Sequence, residues 1–177
     1  MSVPKKNYPN PGPPRGAEMA GMKKNWQPTW EVQKWHKSAD HLAGLVPDEI
    51  VSIEDNLLMN AGITALLTLL IGGGGTAFNL ANCHLGVGNS STAAAPTQTD
   101  LLGTSKVRQV VDSAPSRTAQ TITFVATFGS SAGNFAWEEF GVFNASSGGT
   151  MLSRKVSSLG TKASGATWVL TITLVIS

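Results

Sequence analysis

The chain has 177 residues and a formal net charge of +2; 41% of its residues are apolar and only 14% charged, with a single Cys against 19 Gly and 9 Pro. That length fits one domain with a sizeable core, because folding at this size removes roughly 70% of the unfolded chain's surface from water. The composition excludes a disulfide scaffold, a Cys-rich zinc module and a highly charged disordered chain.

Residues 1–46 read as an extended arm. Within 1–41, seven basic residues (Lys5, Lys6, Arg15, Lys23, Lys24, Lys34, Lys37) stand against three acids (Glu18, Glu31, Asp40), a local +4 that leaves −2 for the rest of the chain. Pro4, Pro9, Pro11, Pro13, Pro14 and Pro28 favour extended, partly polyproline II backbone. The charges are spaced rather than blocked, so an acidic protein surface attracts them as well as phosphate does, and nucleic acid is the weaker reading. No apolar stretch follows Lys5 and Lys6, so a secretory leader is not expected. Trp26, Trp30 and Trp35 lie in this segment, where little else could form a core. Two readings stay open for them: interface anchors, or rings folded back onto the body.

From 47 to 177 the chain reads as a β-sandwich body with one helix. Glu49–Ile53 suggests a short strand. Asp55 or Asn56 then opens a helix over about 56–71, in which Leu58, Ile63, Leu66, Leu67, Leu70 and Ile71 recur at helical spacing and predict one face buried against a sheet. Leu57–Ile71 is interrupted by Asn60 and Gly62 and is shorter than the ~20 residues of a membrane span, so a soluble protein made in the cytosol is expected. Thr121–Phe128 and Thr167–Ile176 alternate, placing Ile122, Phe124, Ala126, Phe128 and Trp168, Leu170, Ile172, Leu174, Ile176 inside. Asn82–Val87, Lys106–Asp112, Phe135–Asn144 and Thr150–Ser157 are further strands, separated by Gly/Ser turns. Short strands at this spacing predict a mainly β fold, an antiparallel sandwich.

Motifs with catalytic precedent lack their context. Gly129-Ser130-Ser131-Ala132-Gly133 matches a nucleophile elbow, but joins two strands, and His36, His41 and His84 all precede it. Gly72–Ala77 follows a helix, whereas a dinucleotide loop precedes one. Cys83-His84 has no second half of a zinc site, so no metal and no cofactor is expected. Glu138 and Glu139 point to opposite faces of a strand; one turns inward and needs Arg154 or Lys155 as its partner. No constellation supports catalysis, and the chain is read as a non-enzyme.

The segments Asn56–Ile63, Gly86–Ala94, Phe135–Asn144 and Met151–Val156 together resemble small accessory structural proteins of tailed bacteriophages, and are similar in outline to the N-terminal collar domains of phage tail fibres. The likeness covers about residues 50–177; it departs at Asn89, where family members usually have Asp, and near Phe140. It implies a virion component without enzymatic activity. The chain ends at Ser177 directly after its last strand, and a compact body on an N-terminal tether suits a capsid decoration or cement protein. A tail or collar adaptor is the alternative. The expected partner is the major capsid protein or a neighbouring virion protein, with a homo-oligomer, possible as a trimer, and no membrane. On this reading Trp26, Trp30 and Trp35 anchor the arm, while Lys5, Lys6, Lys23 and Lys24 steer it onto acidic groups. Residues 1–40 are then dispensable for folding, and Leu66, Leu70, Phe124, Phe128, Trp137 and Trp168 hold the core.

Overall fold

Alternation extends further toward the N-terminus than composition suggests. In the computed structural model, which describes residues 26–176, strand β1 (Trp26–Trp35) buries Pro28, Trp30, Val32 and Lys34 and turns Thr29, Glu31 and Gln33 outward. A short helix α1 (Ser38–Leu42) follows, then β2 (Glu49–Glu54), β3 (Leu57–Leu58), α2 (Asn60–Leu70), β4 (His84–Gly88), β5 (Lys106–Val110), β6 (Ser116–Thr118), β7 (Thr121–Phe128), β8 (Glu139–Phe143), β9 (Met151–Val156) and β10 (Thr167–Ile176). The fold is mainly β. Two five-stranded antiparallel sheets have the orders β2-β1-β10-β7-β6 and β3-β9-β8-β4-β5.

The boundary at residue 46 is therefore corrected: Trp26–Trp35 already belongs to the body. β1 sits between β2 and β10, pairing Trp30 with Ile53 on one side and Ile172 on the other. Pro28 is tolerated because its carbonyl, and so the side its missing N–H would face, points past the last pair of β2, where the oxygen accepts from the Asp55 backbone N–H. Lys34 is inward for a local reason too. Its Nζ donates to Glu49 Oε2 (3.0 Å) and Leu159 O (2.9 Å) and lies 4.7 Å from the centre of the Trp168 ring.

The two sheets share a core of aromatic and aliphatic side chains. Trp137 is at its centre, edge-on to Phe128 and Trp168, each at 4.8 Å, with Phe140 at 6.0 Å. Phe124, Leu170, Ile172 and Leu174 are buried around it as the strand periodicity predicts. Ile122 and Ile176 are partly exposed instead, because both lie at the open end of the sandwich.

The second sheet is covered on both sides. Phe140 and Val142 of β8 face the main core, while Glu139, Gly141 and Phe143 face a layer formed by Met59, Leu101, Met151 and the segment 89–105. Gly86 and Gly141 are directly opposed on β4 and β8. A Cβ at either would lie 2.7 Å from Phe143, so this glycine pair makes the floor on which the ring rests.

Helix α2 corrects the expectation about its apolar face. Its buried position is Gly62, whose missing Cβ lets the helix backbone approach the Leu152 carbonyl of β9. Leu66 is partly buried against the core, but Leu70 is 80% exposed and no core residue. The helix begins at Asn60 rather than near 56, so Leu58 of the expected stripe lies in β3 and packs on the core; Ile63, Leu67, Leu70 and Ile71 point outward.

Candidate partner-binding surfaces

The three tryptophans proposed as anchors are occupied within the body. Trp30 is fully buried and lies 5.9 Å from Phe140. Trp35 is 6% exposed, donates from Nε1 to Leu45 O (2.8 Å) and meets His41 edge-on at 4.7 Å. Trp26 is half-buried and donates to Asn56 Oδ1 (2.7 Å). Trp30 and Trp35 thus fold back onto the body, while Trp26 is half-buried and keeps one side open to a cleft. Lys5, Lys6, Lys23 and Lys24 lie outside the described residues.

The inward acid of the Glu138–Glu139 pair is Glu139, and its partner is Arg154. Both side chains are fully buried, with Arg154 Nη2 and Nε donating to Oε2 at 2.7 and 2.9 Å. The carboxylate also accepts from the backbone N–H groups of Leu102 (3.0 Å) and Gly103 (2.6 Å). Arg154 in turn donates to Gln98 Oε1 and to Thr92 O, both at 3.0 Å. So the ion pair fastens both halves of the 89–105 segment to the sheet. Such saturation makes it a staple rather than a proton-transfer group. Glu138, on the other side, meets Ser158 Oγ at the surface.

A second set of contacts fixes the same segment from outside. Burial pushes the Asp100 carboxyl up, but hydrogen bonds from Lys106, Arg108 and the Leu101 N–H outweigh it and hold the group below the ordinary carboxylate value. Arg108 also donates to Ala145 O and Gly148 O, each at 2.9 Å, and lies over the Phe143 ring at 3.5 Å. A single guanidinium thereby joins the 89–105 segment to the turn after β8.

The Gly129–Gly133 loop is a strand connection with its own cation. Lys162 is fully buried, and its Nζ donates to Gly129 O and Asn134 Oδ1, both at 2.8 Å. Trp137 Nε1 occupies Gly133 O at 2.8 Å. Burial without a carboxylate lowers the Lys162 ammonium from 10.5 to about 8. Its proton is held less tightly in the folded chain than in the unfolded one. The resulting penalty is complete below pH 8 and is relieved as pH rises from about 8 to 10.5. Unfolding free energy is expected to climb relative to the Lys162→Met variant across that window, in paired urea titrations; parallel curves would contradict the assignment. Cys83 is buried, with its thiol pushed up to about 12 by desolvation, which keeps it a packing residue.

Exposed aliphatic side chains gather in two places. One follows α1: Leu42, Leu45, Val46 and Ile50 are exposed by 84, 55, 85 and 55%. The other is the outward stripe of α2, with Leu70 and Ile71 exposed by 80 and 82%. These lie toward opposite ends of β10. Ser38 of α1 bonds Thr167 at its start, while Leu66 of α2 and Ile176 at its other end line one cleft. Ten strand residues make β10 itself about 30 Å long. The cleft itself, about 240 Å³, is walled by Trp26, Phe78, Phe124 and Leu174, with Arg117 and Gln120 among its polar members.

Neither patch was legible as a surface in the sequence, since periodicity reports an apolar face without saying what covers it. Among the described residues there is no cluster of three or more potential metal ligands, and no helix is long and apolar enough to cross a membrane. No family model, no curated protein and no solved structure matches the chain.

Proposed function

We propose that the chain is a structural subunit of a larger assembly, a virion protein of the accessory type its segments resemble, and within that class a capsid decoration protein. The observation that carries the reading is the pair of exposed aliphatic patches toward opposite ends of β10. Scattered surface leucines need no explanation, but two grouped patches on a domain of this size mark a subunit with more than one neighbour. In sequence the patch after α1 is interspersed with Lys37, Asp40, Asp48 and Glu49, charges that an unlike partner can match. Residues 1–25 add Lys5, Lys6, Arg15, Lys23 and Lys24 against Glu18, a basic segment suited to steering onto acidic capsid groups.

The mechanism is binding. The aliphatic patch supplies desolvation energy, and the basic segment supplies long-range attraction and a second attachment that raises the effective concentration of the first. The test is co-sedimentation of the chain with empty heads, filled heads and isolated tails of the phage that encodes it. Saturable binding to empty heads is expected, weakened at least about tenfold by Val46→Lys and by removal of residues 1–25. Binding to tails alone would replace the decoration role by the collar one, and retention on bare DNA alone would overturn both.

A further inference from the structure

We infer that the outward face of α2 is a self-association surface, on which Ile63, Leu67, Leu70 and Ile71 of one copy pack against the same residues of another about a rotation axis. This inference concerns the chain alone in solution and stands whether or not it binds a phage head. The four side chains recur at i, i+4, i+7 and i+8, so they form one stripe along the helix. Their exposures are 40, 58, 80 and 82%. Together they present on the order of 450 Å² of aliphatic surface, which equals the apolar share of a standard interface of about 800 Å² per partner.

One further feature favours a second copy as the occupant, and two more make the face ready for a partner. Between Asp55 and Asp100 the sequence has no Asp, Glu, Lys or Arg, so the whole of α2 and the segments flanking it are free of charge. Around a rotation axis every charge near the axis approaches its own image, so a charge-free face suits a like partner, whereas the patch after α1 has charges to match against an unlike one. The two threonine hydroxyls of the helix are already satisfied: Thr64 Oγ1 donates to Asn60 O (3.0 Å) and Thr68 Oγ1 to Thr64 O (2.8 Å). Covering this face therefore strands no hydroxyl. The helix is also held firmly before any partner arrives, its Gly62 seated on Leu152 and its first turn bonded through Asn60 N–H to Pro96 O. A preordered face loses little freedom on association.

The experiment is sedimentation equilibrium of the full chain over a wide concentration range, beside Leu70→Lys, Leu67→Lys and Val46→Lys. The wild type is expected to form one closed species of fixed mass. Leu70→Lys and Leu67→Lys place like charges against one another and are expected to weaken association at least about 100-fold, with circular dichroism and urea unfolding of the monomer unchanged. Val46→Lys, in the other patch, is expected to leave the mass unaltered. A wild type that stays monomeric at every concentration overturns the inference. So does open-ended growth, or dissociation caused by Val46→Lys and not by the α2 variants. Because no phage component is present, failure here is distinct from failure of head binding.

Discussion

Replacing Glu139 with Ala is expected to lower the unfolding free energy by about 3–5 kcal/mol. The variant leaves the Arg154 guanidinium fully buried without its counter-charge and removes the acceptor of the Leu102 and Gly103 N–H groups. The paired variant Glu139→Met with Arg154→Met separates the two. It removes the isolated charge but still strands the backbone N–H groups, so a smaller loss of about 1–3 kcal/mol is expected. Urea unfolding measures both, and a single variant within 1 kcal/mol of the wild type would contradict the staple role. Hydrogen exchange across 89–105 should accelerate in both variants, since the segment is fastened from each side through this pair.

Trp30→Ala is the second large effect, about 3–5 kcal/mol, because it empties the space of a fully buried ring between β1 and Phe140. Trp30→Phe keeps most of that volume. Since Trp30 Nε1 has no hydrogen-bond partner, the Phe variant loses packing alone, and roughly 1–2 kcal/mol is expected. Truncation gives the complementary result. Removing residues 1–25 should leave a cooperative body, whereas removing 1–35 takes out β1, strips β2 and β10 of a ladder and should abolish folding. A Trp30→Ala protein as stable as the wild type would return this ring to the role of a free anchor.

These two residues also show what the sequence could and could not disclose. The Glu139–Arg154 contact was readable because adjacent acids on a strand must split between two faces, and an inward one needs a cation in reach from the next strand. That the pair also holds 89–105 was not, since backbone acceptors and donors carry no residue signature. β7 and β10 were readable from end to end because their two faces meet different surroundings. β8 is buried at every position, so no alternation marks its ends. β1 was hidden by Pro28 and Lys34, each of which breaks an inward apolar series yet is accommodated, the first past the end of β2 and the second by Glu49, Leu159 and Trp168.

Helix α2 is the opposite case, in which the pattern was read correctly and its destination was not. A stripe at helical spacing states that something apolar covers it. Within this chain the covering goes to Gly62 and Leu66, and Leu67, Leu70 and Ile71 stay exposed.

The assembly role is tested most directly by the hydrogen-exchange footprint of the full chain on purified heads. Peptides spanning 42–50 lie at the end of α1, in a loop and in an edge strand, where a docked partner is expected to slow exchange. The account predicts slowed exchange in 42–50 and in the basic segment 1–25, with the buried strands β8 and β10 unchanged. Exchange in 42–50 identical with and without saturating heads would contradict it.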